Sequence, residues 1–273
     1  MFKTTAFEIW RHEQSSPKLI TLIKELDDHL AGGLPLGLVT ELCGAPGAGK
    51  TQFCLQLCLN VQFPEHMGGL GGKAFFIDTN QDFSPYRLKE LAEHMENHFQ
   101  HTLKKLYSNM ATTSSAFKDF CTPQLLQNVS YVYCHDYVEF MSTIHNFRNI
   151  FIDDLKIKLI IIDSFSFCLR QLDDVKIRTR INYEILNDLQ TLAMEFNVAV
   201  VITNELTTRH VDNQWLVAPA LGDSHTHKIN QRLLLSHDEE RDYHVVMVDK
   251  SVLCDKISIG FKIKSSGIRS ITT

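Results

Sequence analysis

Short apolar runs alternate along the chain with stretches in which apolar residues recur at steps of three and four. The runs at 38–43, 74–78, 129–134, 158–163 and 198–203 predict strands, 74–78 as a buried apolar run and 158–163 as a fully apolar one ending in an acid. Phe53, Leu57 and Val61 predict a helix over 50–61. Leu88, Leu91, Met95, Phe99, Leu103 and Leu106 predict a long amphipathic helix, with Ser84 as its cap and Pro85 in its first turn. Residues 137–154 read as a helix, and Ile177, Ile181, Ile185, Leu189, Leu192 and Phe196 mark another. From Arg232 the pattern changes to hairpins: strands at 233–236, 243–249 and 257–263, with an acidic turn at Asp238-Glu239-Glu240. Strand–helix alternation closed by antiparallel strands predicts an α/β fold, its sheet mostly parallel with an antiparallel C-terminal edge. Residues 1–24 read as a lead-in without a domain-sized core, 25–273 as one core, and 108–124 as a Ser/Thr-rich loop with a short helical turn.

Composition narrows the class. An apolar fraction of 44% in 273 residues suffices for a large core. The chain has no apolar run of membrane-spanning length and no signal-peptide pattern, which predicts a soluble intracellular protein without membrane contact. The seven cysteines form no C-x-x-C pair and mostly fall inside apolar patterns, so reduced core thiols are expected. Cys54 and Cys58 share a helix face but lack further metal ligands. His94, His98 and His101 read as a wet helix face rather than a metal site. The net charge of −5 gives no global nucleic-acid footprint, so any such contact must be local. Two basic patches are candidates: 170–180, and Lys250, Lys256, Lys262, Lys264 and Arg269. Taken alone, each is also what a solvated face looks like.

The strongest chemical signal is Gly44-Ala45-Pro46-Gly47-Ala48-Gly49-Lys50-Thr51, which fits G-x-x-x-x-G-K-[ST] between a strand and a helix. Glycines let backbone N–H groups turn inward onto phosphate oxygens, and the helix N-terminus faces the anion. Lys50 would reach the β- and γ-phosphates, and the Thr51 hydroxyl would hold Mg²⁺. Asp163 ends the apolar run Leu159-Ile160-Ile161-Ile162, at the carboxyl end of a strand, where ligands bind in α/β sheets. In isolation a strand-capping Asp is an equal alternative. Paired with the glycine loop, a carboxylate holding Mg²⁺ of a bound ATP is the better reading.

Leu26-Asp27-Asp28-His29-Leu30-Ala31-Gly32-Gly33-Leu34-Pro35, the glycine loop, Phe76-Ile77-Asp78-Thr79 and Val201-Ile202-Thr203-Asn204 together resemble the RecA/RadA-type recombinases. Leu172-Asp173-Asp174, Arg178-Thr179-Arg180 and Pro219-Ala220-Leu221-Gly222 are most similar to the eukaryotic recombinase paralogues, the C-paralogue branch above all. The resemblance covers nearly the whole chain and implies a RecA-like P-loop NTPase core. It implies that 164–178 and 207–219 are DNA-binding loops, with Arg170, Lys176, Arg178 and Arg209 as phosphate contacts. Phe165, Phe167 and Trp215 would be stacking groups. It places Arg87 against the adenine, and makes His227 a sensor of the γ-phosphate on an adjacent protomer.

Departures from that family shape the expected chemistry. Asn80 stands where the family carries the Glu that orients and deprotonates the attacking water. An amide cannot take that proton, and loss of a general base costs roughly 10²–10⁴-fold. Asp82, two residues on, would need a rearranged loop to substitute. Glu205 stands where the family has a Gln that couples the γ-phosphate to the second DNA loop. A carboxylate there repels phosphate unless it is protonated or bound to a cation. The family's N-terminal helical domain is not found before the linker-like start, and Phe2 and Ala6 are one residue too far apart for its Phe-x-x-Ala self-assembly motif. The resemblance therefore implies an ATP-binding paralogue with weak hydrolysis, acting in the nucleus in homologous recombination, in repair or meiosis. Its partners would be other paralogues, the strand-exchange recombinase and single-stranded or branched DNA. The alternatives are a competent DNA-dependent ATPase with its own strand exchange, and an adaptor needing no nucleotide. Intact Lys50, Thr51 and Asp163 weigh against the adaptor.

Overall fold

The computed structural model describes residues 4–106, 120–211 and 214–271. Its parallel strands are β1 (Val39–Gly44), β2 (Lys73–Asp78), β3 (Val129–Tyr133), β4 (Ile157–Asp163) and β5 (Ala199–Asn204). A hairpin follows, β6 (Leu206–Val211) and β7 (Gln214–Pro219), and then β8 (Gln231–Asp238), β9 (Tyr243–Lys250), β10 (Ile257–Lys264) and β11 (Gly267–Ser270). The main sheet runs β11-β10-β9-β8-β1-β5-β4-β2-β3, parallel from β8 to β3 and antiparallel from β8 to β11. The expected α/β architecture with an antiparallel C-terminal edge is thus the observed one.

Helices cover both faces. They are α1 (Ala6–Ser15), α2 (Lys24–His29), α3 (Lys50–Asn60), α4 (Pro85–Leu106), α5 (Thr122–Gln127), α6 (Tyr137–Asp153), α7 (Phe165–Arg170), α8 (Val175–Phe196) and α9 (Gly222–Lys228). Local chemistry sets their starts. Asp136 accepts from the N–H groups of Val138 and Glu139 to open α6, and Asp174 accepts from Lys176 and Ile177 to open α8. One core unites α3 and α4 with the sheet face carrying Leu42, Phe76, Ile161 and Val201. The other unites α6, α7 and α8 with the opposite face, through Ile77, Ile160, Ile162 and Ile202. Alternate residues of each strand thus go to opposite cores, as a sheet buried on both faces requires. His94, His98 and His101 lie exposed on α4, and Cys54 and Cys58 are buried thiols.

Three elements differ from the sequence reading. β8 does not merely begin a hairpin: it pairs in parallel with β1, Leu233 opposite Leu42, and so carries the change of direction in the sheet. Much of 207–219 is a two-stranded hairpin rather than loop. The lead-in contributes to the body: a Thr5–Glu8 capping box opens α1, and Leu19 and Ile23 are buried in the first core. Phe2 and most of 108–124 lie outside the described residues.

The strand leading into the glycine loop holds a fully buried carboxylate. Glu41 Oε1 accepts hydrogen bonds from Asn204 Nδ2 of β5 (2.7 Å) and from His225 Nε2 of α9 (2.8 Å). Its Oε2 pairs with Arg232 of β8. Burial works against ionisation of Glu41, but the bond from His225 and the charge of Arg232 overcome it and hold its carboxyl below the ordinary value of 4.5. Removing one partner of a buried pair strands the other charge, at a cost of about 3–5 kcal/mol. We therefore expect Glu41→Leu to lose about that much stability in urea unfolding at neutral pH. The sign of the pH dependence follows from the lowered carboxyl. The contribution is complete above the unfolded value and is lost as pH falls from there through the lower folded value, so the parent weakens more steeply in acid than Glu41→Leu. Equal urea midpoints for parent and variant at neutral pH would contradict this account.

Candidate functional site

β1 ends in Gly44, and the loop to α3 turns on glycine geometry. A Cβ at Gly44 would lie 2.4 Å from the Leu235 carbonyl of β8, so no side chain fits there. Gly49 adopts φ +96° and caps α3 from the left-handed region, where an L side chain is strained. Ala45, Pro46 and Gly47 form the exposed crest and Ala48 is buried beneath it. Lys50 folds back over the loop, its Nζ donating to the carbonyls of Gly44 (2.8 Å) and Ala45 (3.1 Å). A cation thus stands beside the N-terminus of α3, the end with positive partial charge.

Thr51 and Asp163, both expected to hold Mg²⁺, lie side by side. Thr51 Oγ1 donates to Asp163 Oδ2 at 2.6 Å, and Thr203 Oγ1 at the end of β5 donates to Asp163 Oδ1 at 2.5 Å. Burial pushes the Asp163 carboxyl up, the two hydroxyls oppose this, and the nearby acids Asp82 and Asp78 add to the rise. A hydroxyl beside a crowded carboxylate is a hard-oxygen donor set that suits Mg²⁺. Among the described residues no three His, Cys, Asp or Glu side chains gather as a metal site. A cation here would therefore draw further ligands from phosphates and water, the usual habit of Mg²⁺.

Asp78 ends β2 fully buried and organises the following turn. Its carboxylate accepts from the backbone N–H groups of Asn80 (3.0 Å), Asp82 (3.3 Å) and Phe83 (3.1 Å) and from the Tyr131 hydroxyl (3.2 Å). Thr79 ties the same turn to the end of β4, donating to the Ser164 carbonyl at 2.7 Å and accepting from the Ser164 N–H at 3.0 Å. The turn already brings Asp82 to position 80: Asn80 Nδ2 donates to Asp82 Oδ2 at 2.7 Å.

Arg87 lies between α3, α4 and the β10–β11 turn. Its guanidinium donates to Gln52 Oε1 (2.8 Å), to the carbonyls of Lys264 (2.6 Å) and Ser265 (2.9 Å), and to Glu90. It therefore flanks the first turn of the glycine-loop helix. His227 lies elsewhere, in a groove of about 990 Å³ against α8 with Lys176, Arg180, Tyr183 and Lys228, whose walls include no glycine-loop residue. Sequence reasoning missed His244 of β9. Its Nδ1 lies 3.2 Å from the Ala48 carbonyl, and its ring stacks on His237 and Phe261. Burial and then the neighbouring His237 push its pKa down. The contact joins residues 196 positions apart, so nothing near His244 in the sequence signals it.

Of the expected nucleic-acid residues, Lys176 is exposed at the start of α8, and Arg170 and Arg178 line a cavity of about 620 Å³ with Glu205, Thr207 and Asp223. Arg170 Nη1 lies 2.6 Å from Glu205 Oε2, so the carboxylate at 205 is bound to a cation. Phe165 is not a stacking surface. It is fully buried, its ring 5.9 Å from Phe140 and 5.6 Å from His225, because α7 turns it into the second core. Phe167 is exposed. The side chains of Arg209 and Trp215 lie outside the described residues. In the C-terminal basic run, Lys250 is tied to the carbonyls of Thr226 and Ile229, and Lys256 to Asp249.

A family model described as Rad51 matches residues 14–121 and 116–271. DNA repair protein RAD51 homolog 3 of Cricetulus griseus is 34% identical over 268 residues, covering 98% of this chain and 72% of that protein. The protein of the same name from Dictyostelium discoideum is 36% identical over 220 residues, 80% of this chain and 56% of its own length. DNA repair protein RAD51 homolog 2 of Homo sapiens is 30% identical over 282 residues, 92% of this chain and 68% of that protein.

The geometry predicts a nucleotide-dependent stabilisation. A ligand at about 100 times its Kd adds about 2.7 kcal/mol to the native state. Mg-ATP should raise the melting temperature of the parent, and Lys50→Ala should abolish the rise. An equal rise in both proteins would contradict the assigned phosphate site.

Proposed function

The chain belongs to the Rad51 family, and on that premise we propose that it is an ATP-binding recombinase paralogue that holds Mg-ATP without turning it over efficiently. The observation that carries this reading is the assembled set Lys50, Thr51 and Asp163, with Thr51 Oγ1 2.6 Å from Asp163 Oδ2. Loop N–H groups and the α3 N-terminus would receive the phosphates, with Lys50 neutralising their charge. Thr51 and Asp163 would hold the magnesium ion, which would screen the β- and γ-oxygens. The residue facing the terminal phosphate from β2 would be Asn80, whose amide can orient water but cannot accept its proton. ATP would then act as a long-lived ligand that orders the segments around it.

On this reading the protein works in homologous recombination, in DNA repair and meiosis, within the nucleus. It would act in a complex with other recombinase paralogues, assisting the strand-exchange recombinase on single-stranded or branched DNA. Lys176, Arg178, Arg209 and, when free, Arg170 would contact DNA phosphates. His227 would meet the nucleotide of an adjacent protomer.

A second reading is favoured by one specific contact. Asp82 is held against Asn80 at 2.7 Å and is a carboxylate able to take a proton. In that case the protein is a DNA-dependent ATPase with Asp82 as its base. Steady-state hydrolysis with single-stranded DNA separates the two. If ATP is mainly held, parent turnover is low, Asn80→Glu raises it by about 10²-fold or more, and Asp82→Asn leaves it unchanged. Fast DNA-stimulated turnover that collapses in Asp82→Asn would establish the second reading instead.

A further inference from the structure

Arg170 ends α7, in the segment that leads from β4 to α8, and Glu205 follows β5 directly. Their side chains meet at 2.6 Å, with about 44% and 33% of each exposed. The same short stretch also touches the phosphate end of the sheet. The Glu205 carbonyl accepts from Cys43 Sγ at 3.5 Å, and Asn204 is registered opposite Cys43, one residue before the glycine loop. One carboxylate therefore stands between the nucleotide end of β5 and the first basic segment. A guanidinium paired with it presents less charge to solvent than its place in the sequence suggests.

We propose that Glu205 is a determinant of DNA affinity that acts by clasping Arg170: nucleic-acid phosphates and the Glu205 carboxylate compete for the same guanidinium. The inference rests on the reading of this face as a single-stranded DNA surface and adds what that reading lacks, an internal competitor. Lys176 is exposed at the start of α8, so the surface retains cations when the clasp is closed. The carboxylate is half-buried and fixed at the end of a core strand, whereas Arg170 sits on the last turn of a six-residue helix. The clasp therefore stays closed in the parent complex, and Glu205 keeps the Arg170 guanidinium out of the DNA interface. An amide at 205 keeps the shape and one hydrogen bond but gives up the charge-assisted attraction. Opening the clasp should thus add one cation to the DNA interface without touching the fold.

Counterion release gives the readout. Each phosphate contact to single-stranded DNA steepens the dependence of log affinity on log salt by about 0.7. The experiment measures binding of a fluorescent oligothymidylate across a salt series for the parent, Arg170→Ala, Glu205→Gln and the double variant. The clasp predicts equal slopes for parent and Arg170→Ala, because the guanidinium is already engaged. It predicts a slope steeper by about 0.7 in Glu205→Gln, lost again in the double variant. Equal urea midpoints across the set exclude an effect through folding. A slope shallower by about 0.7 in Arg170→Ala, or the same slope in Glu205→Gln and the parent, overturns the clasp while leaving the DNA surface standing. No binding by any of the four proteins overturns the DNA reading, and the clasp with it.

Discussion

A carboxylate with no access to water governs how this molecule is put together. Glu41 can remain ionised inside the sheet only because Asn204, His225 and Arg232 converge on it from β5, α9 and β8. Those three elements otherwise share little beyond the neighbourhood of β1. With the charge satisfied, α9 is seated against the sheet, and Arg232 reaches on to Thr226 Oγ1 at 3.2 Å. Asn182 of α8 joins through His225 Nδ1 at 3.1 Å. Because Glu41 lies three residues before Gly44, the same network fixes the strand from which the glycine loop springs. It also fixes the neighbours of two chemically important positions, Asn204 before Glu205 and His225 two residues before His227.

Above that foundation the carboxyl ends of β1, β2, β4 and β5 meet at one edge. The groups suited to holding a triphosphate and a hard cation are complete there: Lys50 over its loop, Thr51 and Thr203 on either side of Asp163. The positions proposed to break or sense the terminal phosphate hold an amide and a carboxylate. Asn80 is an amide locked onto Asp82, and Glu205 is a carboxylate locked onto Arg170. Both side chains are built into the surrounding polar contacts. This supports a reading in which nucleotide serves as a structural ligand between recombination proteins.

Much of this was legible in the chain because the signals were local. Strands buried on both faces read as continuous apolar runs, and β1, β2, β4 and β5 fell within a residue or two of their expected places. The glycine loop is recognisable because its glycines answer constraints a few residues apart. What escaped depends on distance along the chain. The partners of Glu41 lie 163, 184 and 191 residues away, and nothing near position 41 announces them. β8 was read as the first strand of a hairpin because an apolar run such as 233–235 looks the same whichever way its neighbour points. The β6–β7 hairpin forms a sheet apart from the main one, so its sequence need not carry the pattern of a core strand. Phe165 looked like an available ring, but a six-residue helix is too short for its buried face to show in the spacing.

The central claim is that Mg-ATP is held intact. The most direct test forms a stoichiometric complex of protein, Mg-ATP and single-stranded DNA, then identifies the bound nucleotide over time by acid quench. The account predicts that the recovered nucleotide remains ATP long after binding is complete, and that the same complex of Asn80→Glu yields ADP. Rapid conversion of bound ATP to ADP by the parent would contradict it.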